Sequence, residues 1–78
     1  MNKAIEILTD WIYVHEKRLE ILKDLDDTQK YWITNGDAAQ INYYTAKNQN
    51  TQKEIEELIK GISECKQALA KVEEGNNQ

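Results

Sequence analysis

Apolar residues return at alternating three- and four-residue steps along nearly the whole chain, and the pattern breaks once, at Thr34-Asn35-Gly36-Asp37. That alternation lines side chains along one side of an α-helix, whereas a half-buried strand alternates every second residue. The chain is therefore expected to be all-α, with two long helices in an antiparallel coiled-coil-like hairpin. Helix 1 is expected over about 2–34, the turn over 34–37 and helix 2 over about 37–74, with 75–78 a frayed tail. Seventy-eight residues make one helical-hairpin domain, 1–78, too small for a deep cleft between subdomains.

The turn has its own chemistry. Gly36 can adopt the left-handed conformation that closes a helix C-terminus. Asp37, with Gln40 three residues on, is a variant of the capping box that opens the next helix. Gly75 is expected to end helix 2. Within helix 2, Asn48, Asn50 and Thr51 are mediocre helix formers, so a break between Thr45 and Gln52 is conceivable. Seam phase persists through Tyr44, Asn48, Thr51 and Ile55, which favours one continuous helix.

Helix 1 carries two adjacent stripes. The first is Ile5, Leu8, Ile12, His15, Leu19, Leu22, Asp26, Gln29 and Ile33. The second is Ala4, Ile7, Trp11, Val14, Arg18, Ile21, Leu25, Thr28 and Trp32. Helix 2 carries one main stripe, Ile41, Tyr44, Asn48, Thr51, Ile55, Leu58, Ile62, Cys65, Leu69 and Val72. Folding at 34–36 sets the first stripe against this one, pairing Gln29 with Ile41, Asp26 with Tyr44, Leu22 with Asn48 and Leu19 with Thr51. His15 then meets Ile55, Ile12 meets Leu58, Leu8 meets Ile62 and Ile5 meets Cys65.

A two-helix hairpin needs one stripe per helix, and helix 1 has two. Together they cover about 200° of its circumference. Ile7, Trp11, Val14, Arg18, Ile21, Leu25 and Trp32 form the expected self-association face. At ~1.5–3 kcal/mol per large side chain, its unused burial is of order 10 kcal/mol before entropy is charged. Monomers rarely leave such a patch in water. A second copy is the simplest cover, giving a homodimer and a four-helix bundle with twofold symmetry. The competing arrangement has helix 2 rolling over both stripes, helped by Tyr43, Ala46, Gly61 and Ala68. Arg18, inside the second stripe, is expected to reach solvent or to pair with Asp10, Glu16 or Asp24 of a neighbouring chain.

Charge and composition narrow the function classes. Ten basic residues stand against fourteen acidic ones, net −4, with no lysine or arginine cluster. Direct nucleic-acid binding is therefore disfavoured. No apolar run approaches the ~18 residues of a membrane span, and Glu6 and Asp10 interrupt any signal-peptide core. One cysteine builds no internal disulfide. A cytoplasmic protein without a membrane association is the expectation.

Candidate chemistry is sparse. His15, the sole histidine, falls in the seam, where a register-setting polar residue is the plainest role for it. In the hairpin Cys65 lies roughly 15 Å from it along the axis at 1.5 Å per residue, too far for shared ligation. The residue three before His15 is Ile12, so the Glu-x-x-His element of di-metal bundles is missing. Ser63 has no base in register, and glycine-rich phosphate loops are missing. No enzyme activity, cofactor or metal is expected.

The outer side of helix 1 presents Glu16, Glu20, Asp24 and Asp27 beside Tyr13 and Tyr31, which is the candidate partner-binding surface. Glu54, Glu56, Glu57 and Glu64 extend the acidic sector, with Lys17, Lys23, Lys30, Lys53 and Lys60 interleaved. The expected function is a small acidic protein–protein interaction module, an adaptor or regulator, that self-associates through helix 1 and binds a protein target by steric or scaffolding action. One alternative is an inhibitor, from a phage or other mobile element, that blocks a nucleic-acid-handling or defence protein by acidic mimicry. Another is a structural subunit of a larger assembly.

Overall fold

The computed structural model describes residues 2–76, and it is an antiparallel hairpin of two helices, α1 (Lys3–Asn35) and α2 (Ala38–Asn76). Asn2 caps α1, its side chain accepting from the Ala4 amide at 2.8 Å. At the other end the Gly36 amide donates to the Trp32 carbonyl at 2.8 Å, and the Asn35 side-chain amide donates to the Tyr31 carbonyl at 3.0 Å. These bonds take up carbonyls that a helix end leaves without intrahelical partners. Asp37 and Gln40 form the expected capping box: the Asp37 amide donates to Gln40 Oε1 at 2.9 Å, and the Gln40 amide to Asp37 Oδ1 at 2.8 Å.

Gly36 differs from expectation. Its backbone is extended, at φ −81° and ψ 171°, not left-handed. Space explains the glycine instead, since a Cβ there would stand 2.6 Å from the Trp32 carbonyl oxygen and 2.8 Å from Gln40 Cβ. Gly75 does not end α2, which runs through to Asn76, and nothing lies within 4 Å of a Cβ built at Gly75. The rest of the expected frayed tail, Asn77 and Gln78, lies outside the described residues.

The stripes assigned to the seam are where they were expected. Every residue of the first α1 stripe and of the α2 stripe is buried or half-buried, with Ile12, Leu22, Ile55 and Ile62 the apolar core. Helix α2 is unbroken across Thr45–Gln52. Of its poor helix formers there, Asn48 reaches across to α1, as the neighbouring Gln52 also does, and the Thr51 hydroxyl donates to the Lys47 carbonyl of its own helix at 3.2 Å.

The register differs from the expected pairing by about one helical turn. Asp26 meets Asn48 and Gln52 rather than Tyr44, while Tyr44 stacks on Trp32 with ring centroids 6.1 Å apart. The cause is the fold point. Helix α1 continues to Asn35 and the chain reverses at Gly36-Asp37. Each residue by which a fold point moves shifts the opposing partner by two.

The molecule is a rod, 60 × 15 × 13 Å in its Cα extents, with a radius of gyration of 17.6 Å. A globular domain of this length has about 11–12 Å. Two helices side by side enclose one seam, so most of each helix surface stays in contact with solvent.

Candidate functional site

Three surfaces surround the seam, and each is set by the helical azimuth of its residues. The first is the flank of α1 that bears the second stripe. Ile7 is 59% exposed, Val14 59%, Ile21 58% and Leu25 44%. The two tryptophans of the stripe are half-buried, because α2 partly covers them. A Cβ at Gly61 would stand 3.2 Å from the Trp11 ring edge, so the missing side chain makes room for that indole. Trp11 also stacks on His15, centroids 3.5 Å apart and planes 13° apart. Trp32 is held between Tyr44 and, edge-on, Tyr31. Helix α2 thus covers the tryptophans without rolling over the aliphatic residues between them.

Arg18 sits among those aliphatic residues. Its guanidinium pairs with Glu54 of its own α2 at 3.3 Å, both side chains about half exposed. The expectation of Asp10, Glu16 or Asp24 of another chain overlooked this partner. The antiparallel register alone carries Glu54 to that position.

His15 is half-buried in the seam. Its Nδ1 lies 2.7 Å from the Trp11 carbonyl. A carbonyl can only accept, so Nδ1 carries the proton and donates. The imidazole therefore spends one nitrogen on the backbone and one face on the indole, whose far edge lies at Gly61 of α2. Cys65 is a half-buried thiol on the α2 stripe. Among the described residues no group of three or more His, Cys, Asp and Glu side chains could hold a metal ion, and no helix is long and apolar enough to cross a membrane.

The second surface is the outer side of α1, where Tyr13, Glu16, Glu20, Asp24, Asp27 and Tyr31 are all exposed. Its charges are mixed. Glu16 pairs with Lys66 of α2 at 3.0 Å, and Glu20 with Lys17 at 3.7 Å. Lys17 also lies over the Tyr13 ring, 5.6 Å from its centroid.

Between that side and α2 runs a third surface that sequence reasoning missed, an open groove of about 710 Å³. Leu19, Ile59 and Ile62 floor it, and the Glu16–Lys66 pair crosses its rim. Ile59 is half exposed. The signal was present in the sequence: Ile59 is an apolar residue one position past the seam residue Leu58, four after Ile55 and three before Ile62.

Toward the turn the seam becomes polar. Asp26, 8% exposed, accepts from Asn48 at 2.7 Å and from Gln52, and pairs with Lys30 at 3.0 Å. Asn48 also donates to Gln29 at 3.0 Å. Burial pushes the Asp26 carboxyl pKa up, but hydrogen bonds from Asn48, Lys30 and Gln52, together with the Lys30 charge, outweigh it and hold the pKa below the ordinary 3.8. Among the described residues no fully buried side-chain nitrogen or oxygen lacks a hydrogen-bond partner. A fully satisfied network of this kind specifies which residues face each other.

These surfaces offer shape, apolar area and charge, the means of binding another macromolecule. Comparison with known proteins adds no identity to that description: no family model, no curated protein and no solved structure matches the chain.

Proposed function

We propose that this protein is a non-enzymatic interaction module. Hairpins self-associate through the second stripe of α1, and the outer acidic sides, with Tyr13 and Tyr31, meet a protein target in an adaptor or regulatory role. One observation carries the reading. Four large aliphatic residues, Ile7, Val14, Ile21 and Leu25, stay exposed along a single flank, with half-buried tryptophans toward either end. Contiguous apolar surface of that kind marks an interaction site. The acidic-mimicry alternative draws less support, because Glu16 and Glu20 are each matched by a lysine.

Solution mass tests the reading. Light scattering over a concentration series should give twice the 9.1 kDa chain mass for the wild type. An Ile21→Glu/Leu25→Glu double variant should give the monomer mass with its helical circular dichroism retained, because neither side chain is part of the buried core. A wild type that stays monomeric at high micromolar concentration would reject self-association.

A further inference from the structure

The partner for the α1 flank can be specified further, on the basis of the self-association proposed above. We infer that the second copy docks α1 against α1 in the antiparallel sense, about a twofold axis that crosses the stripe between Arg18 and Ile21. The stripe positions 7, 11, 14, 18, 21, 25, 28 and 32 mirror about that point. Antiparallel docking then sets Ile7 against Trp32, Val14 against Leu25, Arg18 against Ile21 and Trp11 against Thr28 of the second copy. Large side chains meet smaller ones, which fills layers evenly. Parallel docking in register would stack Trp11 on Trp11 and bring Arg18 to Arg18.

Charge complementarity points the same way. On the side of the stripe away from α2, the flanking heptad positions are Asp10, Lys17, Asp24 and Tyr31, all exposed. In antiparallel coiled-coil geometry these positions face their own kind across the axis. Lys17 then meets Asp24 of the second copy, and Asp10 meets the hydroxyl-bearing Tyr31, each contact occurring twice, which leaves Tyr13, Glu16, Glu20 and Asp27 of that side for a target. In a parallel pair the facing positions on the other side of the stripe are His15, Leu22 and Gln29, which are already spent in the hairpin seam. Lys17 holds Glu20 of its own helix only at 3.7 Å, with both groups largely exposed, so it can turn to Asp24.

The packing of α2 fixes the overall shape. Helix α2 lies on the seam side of the stripe, and antiparallel docking puts both α2 helices on one side of the α1 pair, closing a four-helix bundle. A parallel pair would put them on opposite sides and close nothing. The α1 strip is ~38 Å long from Ile7 to Trp32 at 1.5 Å per residue.

Cysteine cross-linking tests the orientation. In a Cys65→Ser background, Val14→Cys and Leu25→Cys chains, one of them carrying a size tag, are mixed and oxidised. The heterologous 14–25 disulfide should dominate. Two copies of position 14 lie ~16 Å apart along the axis in the antiparallel pair, beyond the ~4.4–6.8 Å Cα separation of a disulfide. Dominant 14–14 and 25–25 homodimers would overturn the inference while leaving self-association standing. No cross-link from chains that light scattering finds monomeric would remove both. A charge exchange gives an independent reading: K17E should weaken the dimer several-fold, and K17E/D24K should restore it. Failure of the double variant to recover, in a protein that still folds, would overturn the antiparallel arrangement.

Discussion

Asp26 keeps its charge inside the seam because three donors on both helices are arranged to receive it. Its pKa is lowered in the fold, and that sets the sign of its pH dependence. Between the native value and the unfolded value near 3.8, the unfolded chain binds more protons, so stability rises with pH across that interval. The contribution is complete above about pH 5 and is lost as pH falls through the native value. Asp26→Asn should therefore lower the melting temperature at pH 7, and the gap to wild type should narrow on acidification. A gap that stays constant down to pH 2 would remove Asp26 from the acid response. Gly36 makes a second test at this scale. Its backbone suits any residue, yet a Cβ would press on the Trp32 carbonyl and Gln40. Gly36→Ala should lose about 1–3 kcal/mol in urea unfolding, as overpacking does; an unchanged midpoint would mean the turn relaxes at no cost.

At the scale of elements, the two helices are specified by different means. Helix α1 begins at an Asn2 cap, whereas α2 begins at a reciprocal box in which Asp37 and Gln40 satisfy each other's amides. Asp37→Ala should cost about 1 kcal/mol, read from denaturant unfolding, and Gln40→Ala less, since the amide it frees is that of the exposed Asp37, which water reaches more readily than the amide of half-buried Gln40. Equal and negligible effects would show that packing alone starts α2. The middle of α2 illustrates a trade between levels. Asn48 is a poor choice for an isolated helix, and the propensity it forgoes is offset by its cross-helix bonds to Asp26 and Gln29.

For the whole molecule, a rod with one seam leaves little margin. Leu22, 2% exposed, is the most deeply buried side chain among the described residues. Leu22→Ala should cost ~2–5 kcal/mol, enough to unfold much of an isolated hairpin. If the dimer forms, unfolding is coupled to dissociation, and the melting temperature of the wild type should climb with protein concentration. Differential scanning fluorimetry across a hundredfold dilution series measures this, and a concentration-independent melting temperature would place all the stability within one hairpin.

The hairpin itself, its seam residues and its capping box were legible in the sequence because each rests on local regularities. Helical periodicity assigns an azimuth to every residue, and Asp37 and Gln40 are three positions apart. The unbroken course of α2 was legible for the same reason, since the seam keeps phase through Asn48 and Thr51. What local pattern could not supply was the axial position of one helix against the other. That offset follows from where α1 stops, at Asn35, and a shift of one or two residues there moves every cross-helix partner by twice as much. Tertiary structure alone therefore gave Asp26 its Asn48 and Gln52 donors, Arg18 its Glu54, Trp11 its place at Gly61, and Leu19 and Ile59 their shared groove. Each of those contacts joins residues remote in sequence, and periodicity fixes the direction in which a side chain points but not the residue it meets.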